Sequence, residues 1–141
     1  MKVGETLGNI IESDTVVKQF IDDMKSVLKS KNFNCERDLD VLLSKKTDST
    51  NAGYTTLETM AVLGYGKEDI CKELLTLSVA DYTYTVVDNL NSSLPKFYAF
   101  GKHIQIREVY IKVKIRDIAN HKLFCVSFHF AKYPITKPYH I

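Results

Sequence analysis

A chain of 141 residues, 45% hydrophobic and 26% charged, is long enough for one domain with a real core, and no apolar run approaches the ~20 residues that span a bilayer. Three widely spaced cysteines (Cys35, Cys71, Cys125) argue against a disulfide framework or a zinc motif. The early acids of MKVGETLGNIIESD argue against a signal peptide, so the expectation is a cytoplasmic, reduced protein without a membrane partner.

Residues 1–13 read as a weakly ordered lead-in. From Thr15 to Leu28, Val16, Val17, Phe20, Ile21, Met24, Val27 and Leu28 recur at helical spacing, with Asp14 as N-cap and Lys29 and Lys31 at the negative end of the dipole. Cys35–Ser44 is expected to form a second short helix with Leu39, Leu42 and Leu43 on its inner side. Lys45–Gly53 is a polar, turn-forming loop. Thr56–Leu63 reads as a helix ended by Gly64, and Lys67–Leu75 as another. After Leu77 the period changes. Tyr82–Val87 alternates as a strand, Asp88–Pro95 is a loop, and Lys96–Phe100 is a short aromatic strand. Gly101–His103 is read as a turn into a long strand beginning near Ile104, and Tyr133–Ile141, with Pro134 and Pro138, as an extended tail. Helices followed by an antiparallel sheet make the class α+β.

Charge follows the same division. Residues 1–90 hold ten Lys/Arg against fifteen Asp/Glu; residues 91–141 hold nine against two, together with all four histidines. The basic part points to an anionic partner, nucleic acid ahead of membrane. A lysine-rich solvated sheet face is the plainer reading of the same charges.

The most informative segment is Glu108–Tyr133. Val109, Ile111, Val113 and Ile115 alternate with Tyr110, Lys112, Lys114 and Arg116; Phe124, Val126, Phe128 and Phe130 alternate with Cys125, Ser127 and His129. If both apolar sets enter one core, odd positions pair with even ones. A four-residue loop, Ile118–His121, then pairs Ile115 with Phe124, Val113 with Val126 and Ile111 with Phe128. Tyr110 falls opposite His129 and Lys112 opposite Ser127, with Cβ atoms roughly 5 Å apart. A histidine can act as general acid or base near neutral pH, a tyrosine hydroxyl can bond a phosphate or a 2′-hydroxyl, and lysines can stabilise charge developing on phosphorus. Singly, each has an ordinary structural reading: a strand histidine, a half-buried strand tyrosine, solvated lysines.

Other groupings carry less. His103, His121 and His140 lack metal-site spacing, no phosphate-binding or dinucleotide fingerprint is present, and Gly64-Tyr65-Gly66 is a helix-ending turn. Ser127 and His129 share a face without a nucleophile elbow or an acid partner. Acids gather in the helical half, away from any magnesium-dependent nuclease centre. No cofactor or metal is expected.

Leu77-Ser78-x-x-Asp81-Tyr82, Phe97-x-x-Phe100-Gly101-Lys102, Glu108-Val109-Tyr110-Ile111-Lys112 and Cys125-Val126-Ser127-Phe128-His129-x-Ala131-x-Tyr133-Pro134 resemble the MqsR family of bacterial toxins over roughly residues 54–139. The resemblance implies a RelE-like core preceded by a helical extension over residues 1–50, in one domain. It implies a type II toxin that cleaves messenger RNA and is neutralised by a cognate antitoxin. The family's strand tyrosine falls on Tyr110, and its basic catalytic position falls on His129, where the best-known member has lysine. Tyr84 stands near another lysine of that member; Lys96, Lys102 or Gln105 stands in for its glutamine. The expected activity is metal-independent endoribonucleolysis, with Tyr110, His129 and Lys112 catalytic and Lys102, Arg107, Lys114, Tyr84 and Lys96 binding substrate. The alternatives are a non-catalytic RNA-binding or antitoxin-binding module of the same fold, and a structural protein whose acidic helices contact a partner.

Overall fold

The structure is a computed structural model and describes residues 7–43, 45–88, 91 and 93–141. In chain order it comprises β1 (Leu7–Ile10), α1 (Asp14–Lys29), α2 (Cys35–Asp38), β2 (Leu39–Val41), α3 (Thr56–Leu63), α4 (Lys67–Leu75), a 3-10 turn (Val79–Asp81), β3 (Tyr82–Asp88), β4 (Phe97–Ile104), β5 (Arg107–Asp117) and β6 (Lys122–Phe130). The class is α+β. Among the described residues the six strands form one sheet in the order β1-β3-β4-β5-β6-β2, and no helix is long and apolar enough to cross a membrane. The sheet is mixed rather than antiparallel throughout, because β2 joins β6 in parallel.

Local chemistry accounts for the helices. In α1, Val17, Phe20, Ile21, Met24 and Val27 form one buried stripe. Its N-cap is Ser13, not Asp14: Ser13 is extended and its hydroxyl accepts from the Val16 N–H, while Asp14 begins the helix and offsets its positive end. Thr55 and Glu58 cap α3 reciprocally, and Gly64 ends it at φ 72°, a left-handed position that glycine occupies without Cβ strain. Asp69 accepts from the Gly66 N–H at the start of α4.

The expected helix over Cys35–Ser44 stops after one turn. Asn34 caps it by accepting from Arg37, and the chain then extends so that Leu39, Asp40 and Val41 pair with Leu123, Phe124 and Cys125. Leu39 enters the core, Leu42 and Leu43 remain exposed, and Ser44 lies outside the described residues. The open edge of β6 needed backbone partners, and that long-range demand outweighs three leucines at near-helical spacing. Residues 1–50 therefore supply both edges of the sheet, β1 and β2, as well as α1 and α2.

The helices cover one face of the sheet. Phe20 of α1 stacks on Tyr98 of β4 with centroids 3.9 Å apart, and Val109, Ile111, Val113, Leu123, Phe128 and Phe130 are buried beneath the helical layer. Beyond the short β2, the N–H groups of Phe128 and Phe130 donate to the hydroxyls of Thr56 and Thr59, so α3 takes the place of the missing strand. Gly101 lies inside β4, not in a turn; the turn is at Gln105, φ 57°. A Cβ on Gly101 would lie 2.8 Å from two Ile135 side-chain atoms, so any larger residue there must displace Ile135 and with it the close packing of the tail.

Candidate functional site

Pairing of β5 with β6 places Tyr110 opposite His129, Ile111 opposite Phe128 and Lys112 opposite Ser127, as the alternation predicts. Past that point the register shifts. Val113 pairs with Cys125, Lys114 with Phe124 and Ile115 with Leu123, because Val126 is the extra residue of a bulge. Leu123 and Cys125, not Phe124 and Val126, therefore join the core. Phe124 is turned out beside Lys114.

The face away from the helices carries the chemistry. Tyr84 on β3 pairs with Ala99, and Gly101 with Tyr110, so only small side chains stand between the two tyrosines on the intervening strand. β3 and β5 are about 10 Å apart, two strand spacings. The rings lean over β4 until their hydroxyls hydrogen-bond, with centroids 6.4 Å apart. On the other side, the Tyr110 ring lies 5.3 Å from that of His129. The result is a row of Tyr84, Tyr110 and His129 across the sheet.

His129 is half-buried, and its Nδ1 is 3.0 Å from the Phe130 carbonyl oxygen. A carbonyl only accepts, so Nδ1 carries the proton and Nε2 of the neutral ring keeps a free lone pair. Burial holds the His129 pKa below its ordinary value; the Phe130 carbonyl pulls the other way, and the charges of Lys45 and Lys112 lower it further. Burial, and secondarily the bond to Tyr84, pushes the Tyr110 hydroxyl well above the ordinary tyrosine range. Tyr110 therefore stays protonated. Burial followed by the charge of Lys45 lowers the Lys112 pKa, and among the described residues no carboxylate pairs with Lys112.

Two hollows meet at His129. A small polar one, about 190 Å³, is shared with Lys112, Lys45 and Ser127 and is closed by Leu43, Tyr54 and the start of α3. A larger groove, about 710 Å³, runs between the Tyr84–Tyr110–His129 row and the carboxy-terminal tail. A cationic pocket and an apolar one flank the same imidazole.

Not every basic candidate is at this site. Lys102 is on the helical side, where its ammonium bonds Glu73 at 2.7 Å and the Thr76 hydroxyl. Arg107 lies over Phe130, 3.9 Å from the ring centroid, and near Tyr54 on the helical side. Lys96 pairs with Glu12 at 3.2 Å. Lys114 is on the open face, over Phe97 at 4.7 Å and Phe124 at 5.9 Å, with Arg116 over the other side of this cluster at 4.0 Å from Phe124. The expected set thus divides: Tyr84, Tyr110, Lys112, Lys114 and His129 share a face, while Lys96, Lys102 and Arg107 are held by other partners. Sequence reasoning missed Lys45, which sits in a loop without periodicity, and Tyr133, which the tail carries to the rim of the groove. The Lys45-Lys46 pair was the only sequence signal for the former.

Among the described residues no group of three or more His, Cys, Asp or Glu side chains is arranged to hold a metal ion. No family model, curated protein or solved structure matches this chain.

Proposed function

We propose that this protein is an endoribonuclease that cleaves single-stranded RNA without a metal, a bacterial toxin of the MqsR type held in check by a partner antitoxin. The observation that carries the proposal is the neutral His129, with Nε2 free, between Tyr110 and Lys112 on an open basic face. His129 takes the proton from a ribose 2′-hydroxyl as its oxygen attacks the adjacent phosphorus. The Tyr84–Tyr110 hydroxyl pair uses one hydrogen internally and offers the other to the phosphate or to the departing 5′-oxygen. Lys112, with Lys45 behind it, stabilises the charge that builds on the phosphoryl oxygens. The departing 5′-oxygen takes a proton from water and His129 returns to solvent the one it accepted, giving a 2′,3′-cyclic phosphate and a 5′-hydroxyl. Tyr110 acts as donor and not as base, because its burial opposes the phenolate.

The deciding experiment is digestion of single-stranded RNA in EDTA by wild type and by His129→Ala. Cleavage by wild type alone, with cyclic phosphate ends, supports the proposal; equal cleavage by the variant, or loss of wild-type cleavage in EDTA, overturns it. One observation favours a second reading, a module that grips RNA without cutting it. Phe97, Lys114, Phe124 and Arg116 interleave aromatic rings and cations along the same face, an arrangement suited to strand binding. That reading expects salt-dependent RNA binding and no cyclic phosphate product.

A further inference from the structure

The larger groove has no role in the proton transfers above, yet it opens directly onto the residues that perform them. Its floor is the Tyr84–Tyr110–His129 row and its outer wall is the tail, with Pro134, Ile135 and Pro138 facing it. At about 710 Å³ it is within the range of small-molecule sites, roughly 300–1,000 Å³, and like them it combines apolar walls with a few convergent polar groups.

The tail is anchored at three places. The Thr83 hydroxyl donates to the Thr136 carbonyl, Lys137 pairs with Glu108 at 2.8 Å, and Tyr139 stacks on Tyr82 while donating to the Glu12 carbonyl at 2.6 Å. Two prolines stiffen the same segment. All the anchors follow Pro134. Tyr133, just before them, is 74% exposed although it lines the groove. A large aromatic side chain kept in water at the rim of an apolar groove has a face available for stacking.

On the other side of His129 is the cationic hollow of Lys112 and Lys45. An apolar groove and a cationic hollow that share one imidazole match the two ends of a nucleotide. We propose that the groove seats a single nucleobase turned out of the strand and stacked against Tyr133, with the phosphate attached to it directed to Lys112 and Lys45. The inference takes its ligand class from the proposed function and adds to it: the base beside the reacting phosphate is read one at a time, beneath the tail.

The test titrates the full chain with nucleoside 3′-monophosphates and, in parallel, with ribose 5-phosphate, following amide and side-chain NMR shifts. The expected result is shifts at Tyr133 and Ile135 with the nucleotides and none there with ribose 5-phosphate. Tyr133→Ala should weaken nucleotide binding about tenfold or more, the loss of one base–aromatic stack, without moving the thermal midpoint; Tyr133→Trp should retain binding. Equal shifts from ribose 5-phosphate, no shifts at the groove, or unchanged binding by Tyr133→Ala overturn the inference. The two proposals fail separately. Nucleotide binding as described without RNA cleavage overturns the nuclease alone; His129-dependent cleavage with a fully active Tyr133→Ala overturns the base site alone.

Discussion

Replacing Thr59 by valine tests how the strand that carries His129 is held. Thr59 is fully buried, and its hydroxyl accepts from the Phe130 N–H at 2.9 Å, where β2 no longer borders β6. Valine keeps the shape and has a similar helix propensity, so the change removes an acceptor and little else. Phe130 is itself 1% exposed, which leaves its N–H no water to turn to. Stranding a buried donor costs about 1–3 kcal/mol, and for a chain of this size that lowers the midpoint by about 3–10 °C. Thr56→Val should act in the same direction through Phe128, and the double variant should lose more than either. Because Phe128 and Phe130 flank His129, both variants should also blur the imidazole's position and lower kcat. Urea unfolding gives the free energy, and hydrogen exchange at the Phe130 amide gives the local effect. Wild-type stability in Thr59→Val, or unchanged protection of that amide, would refute the view that α3 completes the sheet edge.

Other outcomes follow from the same geometry. Since the His129 pKa lies below its ordinary value, about 6.5, and catalysis needs the neutral ring, kcat/KM should rise with pH and level off with a midpoint below that value; a midpoint above it contradicts the buried, cation-flanked site. The same depression means the unfolded chain binds the proton more readily, so His129 weakens the fold as pH falls through that range, and His129→Gln should flatten this part of the pH–stability curve. Lys112→Met keeps the stem but removes the charge; RNA cleavage should fall about 100-fold or more with the fold intact, and activity near wild type would remove Lys112 from the mechanism. Gly101→Val forces new atoms into the space of Ile135, which should cost about 1–3 kcal/mol and loosen the tail, read as faster tryptic cleavage after Lys132.

Much of this site is legible in one dimension. The Tyr110–His129 pairing follows from strict two-residue alternation on both strands and a short loop between them. α3 and α4 begin and end where expected because their caps are neighbours in sequence, as Thr55 is to Glu58 and Gly66 to Asp69. What alternation could not show is the bulge at Val126. One inserted residue reverses which side chains enter the core, and both Phe124 and Cys125 are plausible on either face. The basic residues are the least legible part. Lys96, Lys102 and Lys114 look alike along the chain, yet Glu12 holds the first, Glu73 the second and two phenylalanine rings surround the third.

The division has a physical cause. Periodicity and capping are short-range, so the sequence by itself determined the α+β class, the long helices and the half of the hairpin where tyrosine meets histidine. Partners supplied from a distance obey no local pattern. Only the tertiary structure decided that Leu39–Val41 would become a strand to satisfy the β6 edge, and that Ala99 and Gly101 would let two tyrosines meet across a strand. It alone laid the tail over Gly101 to wall the groove beside His129.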